Sequence, residues 1–258
     1  MTTFTALSIA GSDPSGGAGL QADLKTFHQH GVYGMAVVTL LTVQNTQTVS
    51  RVEVMPGELV TQQAEAVLRD IAPGAVKTGA LGSAEVIHAV AALKFNAPLV
   101  VDPVMISKHG HALLANEARE ALRSKLMPVT TLLTPNSQEA AALWGRPVET
   151  VEQAVEAARA LGAMGPKAVL VKGGHIAGVE AVDVLFHDGV VTHFRAPRID
   201  TRHTHGTGCT YSAAITARLA KGESMVAAIA GAKQWLTEAL RTAPGLGHGI
   251  GPVNHFAV

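Results

Sequence analysis

Residues 6–30 read ALSIAGSDPSGGAGLQADLKTFHQH, and this stretch decides the fold. Ala6–Ile9 is a short apolar run, and residues 10–19, AGSDPSGGAG, form a glycine-rich turn. Gly19–His30 then carries apolar residues at helical spacing. One strand, one tight turn and one helix make a βα unit, and the unit recurs along the chain. Ala36–Leu41, Ala75–Thr78, Leu99–Val101, Thr131–Leu133 and Ala168–Val171 read as further buried strands bounded by Gly, Pro or polar residues. Between them Glu58–Ile71, Ala84–Leu93, Asn116–Leu126 and Val151–Leu161 have the helical pattern. Strands without strict alternation indicate a sheet covered on both faces, and βα alternation indicates parallel strands.

The pattern changes once. Val182–Phe186 and Val190–Phe194 flank His187-Asp188-Gly189, the signature of an antiparallel hairpin on a sheet edge. Two last helices, about Thr207–Ala220 and Ser224–Arg241, precede a Gly/Pro/His-rich tail. No linker, repeat or low-complexity tract interrupts residues 1–258, so the expectation is one α/β domain. The length agrees: 258 residues at about 150 per domain is one large domain or two small ones.

Composition excludes several function classes. The chain is 47% hydrophobic and 16% charged, which rules out disorder for its bulk. Twenty basic and twenty acidic side chains cancel, so no long-range field draws it to nucleic acid or an anionic membrane. One cysteine cannot form an internal disulfide. Among the 12 histidines the closely spaced pairs His109/His111 and His203/His205 fall in loops without companion metal ligands. No secretory signal or spanning segment is visible, and a cytoplasmic protein is expected.

In an open parallel sheet the ligand lies beyond the carboxyl ends of the strands, so the loops there carry the chemistry. Residues 10–19 are not a P-loop, because Gly17 stands where the phosphate-binding lysine must be. Asp23, one turn into the next helix, is expected to face the same mouth. The strongest feature is THGTGCT, residues 204–210. Gly206, Thr207, Gly208 and Cys209 place several backbone N–H groups at a helix N-terminus, an anion site by hydrogen bonding and helix dipole together. The same dipole is expected to bring the Cys209 thiol below about 8.5. Asp102 ends a buried strand, Asn136 and Glu139 share a helical face after another, and Lys172 ends a third. Oxygen ligands of this kind suit Mg²⁺, and a lysine suits phosphate. Together they describe phosphoryl transfer.

The motifs AGSDPSGGAG, QADLKTF, VQNT, KTG, VDPVM, LTPN, VKGGH, THGTGC and GHGIGPVNHF occur in the order found in bacterial hydroxymethylpyrimidine/phosphomethylpyrimidine kinases. The chain resembles that branch of the ribokinase-like superfamily from its first strand to its last residue. The resemblance implies a ribokinase-like α/β fold and ATP-dependent phosphorylation of 4-amino-5-hydroxymethyl-2-methylpyrimidine and of its monophosphate, in thiamine biosynthesis. It implies that Asp23 and Gln44 hydrogen-bond the aminopyrimidine, with Gly11 and Ala18 lining its pocket. Cys209 would be the general base, Gly206–Gly208 would hold the transferring phosphoryl group, Asp102 and Glu139 with Asn136 would organise Mg²⁺, and Lys172 and Lys233 would meet ATP. A homodimer is implied as well. The chain departs from many relatives at Ala80, where they have Met, and at Ser107-Lys108-His109-Gly110-His111, where the charge of the loop differs. Three rivals stand beside this reading. One is a pyridoxal or pyridoxine kinase, separate or combined in a dual-specificity enzyme; the second is a Cys209/His205 covalent enzyme; the third is a non-enzymatic binder of the same fold.

Overall fold

The computed structural model describes residues 3–105 and 116–258, so the 107–111 loop lies outside it. In chain order the elements are β1 (Thr5–Ser12), α1 (Gly19–Gln29), β2 (Tyr33–Gln44), β3 (Val49–Val54), α2 (Gly57–Asp70), β4 (Ala75–Thr78), α3 (Ala84–Ala92), β5 (Leu99–Val101) and α4 (Asn116–Ala121). They continue with β6 (Leu132–Leu133), α5 (Ser137–Trp144), α6 (Val151–Gly162), β7 (Ala168–Val171), β8 (Glu180–His187), β9 (Val190–Pro197), α7 (Thr207–Ala220) and α8 (Met225–Arg241).

The strands form a nine-stranded sheet in the order β3-β2-β1-β4-β5-β6-β7-β8-β9. Every pair from β2 to β7 is parallel. β3 at one end and the β8–β9 hairpin at the other are antiparallel. The expected mostly parallel sheet with a hairpin at its edge is therefore borne out. Asp188 and Gly189 both have positive φ, 49° and 79°, which is what a two-residue turn needs to match the strand twist.

Side chains alternate across the sheet. Leu99 and Val101 of β5 join the core beneath α2–α6, while Val100 points to the other face, with Leu132, Leu170 and the α7–α8 pair. Fully burying one such side chain contributes roughly 1.5–3 kcal/mol, so both faces are strongly specified. α7 runs through the middle of its layer with Thr210–Ala217 all buried. Its run of small residues (Ala213, Ala214 and Ala217) lets α1 and the sheet approach closely.

Two elements differ from the sequence expectation. β3, VSRVEV, was not anticipated: Ser50, Arg51 and Glu53 are exposed, as an edge strand allows. α5, eight residues long after β6, agrees with the helical spacing of Asn136 and Glu139. The expected 116–126 helix is α4 followed by a π turn at Leu122–Leu126 and a 3-10 turn at Met127–Val129. Pro128 supplies no N–H, which ends regular helix there. Among the described residues no helix is long and apolar enough to cross a membrane.

Candidate active site

β1 leads one way to β2 and the later strands lie on its other side, so the chain reverses between β1 and β4. The crevice beyond the strand ends at such a switch point is where ligands bind in open α/β sheets. The loop after β1 and the N-terminus of α7 both come to it.

Gly206 caps α7 in the left-handed region, φ 75°. A Cβ there would lie 1.7 Å from the Gly17 carbonyl oxygen, so only glycine allows the two loops to touch. Thr207 Oγ1 donates to the Thr204 carbonyl at 2.7 Å, which fixes the turn. The first-turn amides of Gly208 and Cys209 have no intrahelical acceptor and are the groups an anion would meet. In front of Gly208 lie the Lys172 ammonium and an Asp102 oxygen, 3.3 and 3.6 Å from where its Cβ would be.

Lys172 Nζ donates to Asp102 Oδ1 at 2.8 Å, with both side chains nearly closed to solvent. Burial works against the Lys172 charge, but the Asp102 and Glu139 carboxylates outweigh it and hold the ammonium protonated. Burial pushes the Glu139 carboxyl up to about 7; Lys172 pulls it down and Asp102 pushes it further up. Asn136 and Glu139 form a capping box on α5: Glu139 N donates to Asn136 Oδ1 and Asn136 N to Glu139 Oε2, each at 2.8 Å. The Asn136 oxygen is thus engaged by its helix.

The donor set bears on Mg²⁺. Among the described residues no group of three or more His, Cys, Asp or Glu could hold a metal ion. Asp102 and Glu139 are two carboxylates close enough to repel each other's charge. That fits a cation taking one or two carboxylates and completing its shell with phosphate oxygens and water.

Cys209 corrects an expectation. Its thiol is pushed up to about 11 rather than down: burial dominates, Lys77 pulls it down, and Asp23 and Asp102 push it up. The Gly19 amide faces the sulfur and favours the thiolate, but desolvation wins.

Asp23 is not at the mouth of the pocket. It is fully buried under it, its oxygens 2.8 and 2.7 Å from Lys77 Nζ and Oδ2 accepting from Ser8 Oγ at 2.5 Å. Burial pushes its carboxyl upward against the pull of Lys77. Burial also opposes the charge on Lys77, yet Asp23, Cys209 and Asp102 together keep it a cation. Lys77 was missed in the sequence. A lysine inside the four-residue apolar strand Ala75–Thr78 was the available signal, since a charged residue is almost never fully buried unpaired.

Gly11, Ala18 and Gln44 gather around the first loop. Gly11 sits at the register shift between β1 and β2, where β2 carries one extra residue, Thr39, and a Cβ on Gly11 would strike Leu40. Ala18 N donates to Asp13 Oδ2 at 2.8 Å. Burial would raise the Asp13 carboxyl, but bonds from His205, Gln44 and Ser15 outweigh it and hold it well below the usual range. His205, the partner imagined for a covalent Cys209, donates instead to Asp13 at 2.7 Å. Ala80 contributes its carbonyl, which accepts from Thr39 Oγ1 at 2.6 Å. Lys233 lies apart from the Cys209 cluster. Its Nζ donates to Asp183 Oδ2 at 2.7 Å while Gly173 N donates to Asp183 Oδ1 at 2.8 Å, so it braces the loop that follows Lys172. It also lines a groove of about 780 Å³ between β9 and α8, with Arg195 and Gln234.

The family described as phosphomethylpyrimidine kinase matches residues 13–254. The hydroxymethylpyrimidine/phosphomethylpyrimidine kinase of Streptomyces coelicolor is 50% identical over 96% of this chain and 93% of its own length. The thiamine biosynthesis bifunctional protein ThiED of Geobacter sulfurreducens is 46% identical over 97% of this chain and 52% of its own. Among solved structures, Bacillus subtilis pyridoxal kinase in an ADP complex has a TM-score of 0.90 at 37% identity, covering 99% of this chain and 98% of that one. Clostridium difficile phosphomethylpyrimidine kinase has a TM-score of 0.82 at 43% identity, covering 92% and 100%.

Proposed function

The chain belongs to the phosphomethylpyrimidine kinase family, and from that premise we propose that it uses ATP to phosphorylate 4-amino-5-hydroxymethyl-2-methylpyrimidine, and then the monophosphate to the diphosphate, in thiamine biosynthesis. The observation that carries this reading is the meeting of Lys172 and Asp102 with the glycine-lined N-terminus of α7 at Gly208. Such a site offers amide donors and a cation to a transferring phosphoryl group, whose loose transition state needs positioning and charge neutralisation above all.

In the proposed reaction Gln44, Gly11 and Ala18 line the aminopyrimidine pocket. Gln44 offers both donor and acceptor to an aminopyrimidine edge. Asp23 acts from beneath, through Lys77. The substrate hydroxyl oxygen bonds to the γ-phosphorus as the bond to the β,γ-bridging oxygen breaks, and ADP leaves. The thiolate form of Cys209 takes the hydroxyl proton, while the Gly206–Gly208 turn holds the phosphoryl oxygens and Lys172 meets the ATP phosphates. Asp102 and Glu139 would hold Mg²⁺, which supplies charge neutralisation on the phosphates; Asn136 would orient Glu139. Lys233 supports the nucleotide side through Asp183. A homodimer in the cytoplasm completes the reading; the exposed apolar Leu41 and Val43 on β2 support the dimer.

A second reading, pyridoxal phosphorylation, is favoured by the full-length likeness to a pyridoxal kinase. Incubation of the purified protein with MgATP and hydroxymethylpyrimidine, its monophosphate or pyridoxal, with products identified by mass, separates the two. Diphosphate formation supports the thiamine-pathway reading. Turnover of pyridoxal alone overturns it in favour of vitamin B6 salvage.

A further inference from the structure

The loop after β1 and the turn before α7 meet at one carboxylate. Asp13 Oδ2 accepts from Gly17 N at 3.2 Å, Ala18 N at 2.8 Å and His205 Nε2 at 2.7 Å. Its Oδ1 accepts from Ser15 N at 2.9 Å and Ser15 Oγ at 2.7 Å. Asp13 and His205 are 192 residues apart, and their side chains are only 3% and 4% exposed. The Ser15, Gly17 and Ala18 amides of the glycine-rich loop are therefore turned inward onto an internal anion. They are taken, and the phosphoryl group is left to α7.

The packing around the pair is as close as backbone allows. A Cβ on Gly17 would lie 2.5 Å from the His205 ring and 3.1 Å from Pro252, and one on Gly206 would strike the Gly17 carbonyl. His205 N in turn donates to the Gly251 carbonyl at 3.0 Å, so the C-terminal segment backs the histidine. A buried ion pair is weak evidence of stability, since an apolar pair of the same volume often serves as well. What directed bonds supply and apolar packing does not is a fixed separation.

We propose that Asp13 and His205 are positioning residues: their bond sets the distance between the acceptor loop, residues 11–19, and the phosphoryl-binding turn, residues 206–209, so that hydroxyl and γ-phosphate meet in line. Neither side chain touches substrate. The proposal rests on the kinase reading above and adds that the two halves of its site are held in register by this pair. A misplacement of about 1 Å can cost on the order of 100-fold in rate.

The test uses full-length wild type, Asp13→Asn, His205→Phe, His205→Gln and the Asp13→Asn/His205→Phe double variant, each assayed with MgATP and either hydroxymethylpyrimidine or pyridoxal. His205→Phe and Asp13→Asn are expected to lower kcat roughly 10- to 100-fold with the KM for ATP within about threefold. His205→Gln, which keeps an N–H toward Asp13, restores kcat to within about fivefold, and the double variant is no slower than the slower single one. Amide hydrogen exchange of residues 13–19 rises in His205→Phe, although the change lies in another segment. Unchanged kcat in a folded His205→Phe protein, effects that multiply in the double variant, or unaltered exchange would overturn the proposal. If His205→Phe does not fold, Asp13→Asn against His205→Gln decides by the same criteria. Wild-type turnover of pyridoxal alone sinks the proposed substrate while the same comparison on pyridoxal still tests the pair. With neither substrate turned over, the exchange measurement alone decides it.

Discussion

Lys77 Nζ sits 2.8 and 2.7 Å from the two oxygens of Asp23, and neither side chain is reached by solvent. The pair joins the middle of β4 to the second turn of α1 close to Cys209, and Lys77 is the cation that draws the thiol toward ionisation. Removing one partner leaves an uncompensated buried charge. Lys77→Met is therefore expected to lower the unfolding free energy by about 3–5 kcal/mol, and Asp23→Leu/Lys77→Met to recover most of it. Urea unfolding of the two variants checks this. A loss in the double variant as large as in the single one would show that the pair is not the source.

The Cys209 thiol, at about 11, is almost wholly protonated at neutral pH. If its thiolate takes the substrate proton, kcat rises with pH through the neutral and alkaline range, because each unit exposes more thiolate. Cys209→Ala is expected to reduce turnover on the order of 10²–10⁴-fold, to remove that rise and to leave nucleotide binding intact. Alkylation of the thiol measured against pH supplies the second check. A midpoint below the ordinary value of 9.0 would contradict the dominance of burial.

Lys172 stands before the first amides of α7, where phosphate oxygens would arrive. Lys172→Ala is expected to raise the KM for ATP about tenfold or more and to leave the KM for the pyrimidine within about threefold. Steady-state kinetics in both substrates decide it, and the reverse pattern would move the lysine to the acceptor end of the site.

Asp13 carries a prediction on pH. Its folded carboxyl lies below the unfolded value of 3.8, so its bonds stabilise the protein fully above that value and the contribution is lost as pH falls below it. The stability gap between wild type and Asp13→Asn is expected to shrink as pH is lowered from about 6 to about 3. Chemical denaturation across that range measures it; a constant gap would mean that the carboxyl titrates normally in the fold.

The βα alternation, the Asp188–Gly189 hairpin and the glycine-rich entry to α7 were all legible, because each is written in neighbouring residues. β3 escaped because Arg51 and Glu53 break its apolar run, and an edge strand is recognised only by the partner it pairs with. Asn136 and Glu139 were rightly placed on one helical face, but only the structure shows them closing a capping box on α5.

The sequence by itself determined the βα alternation, the layer architecture and which strand-end loops carry polar groups, since periodicity and turn chemistry act over a few residues. The tertiary structure alone decided the electrostatics. Desolvation and Coulomb forces depend on what stands within about 4–6 Å, and those neighbours come from distant segments. Asp23 is buried on a lysine 54 residues away and Asp13 is bonded to a histidine 192 residues away. The helix dipole read from residues 206–209 favoured the thiolate of Cys209; burial beside Asp23 and Asp102 reversed the outcome.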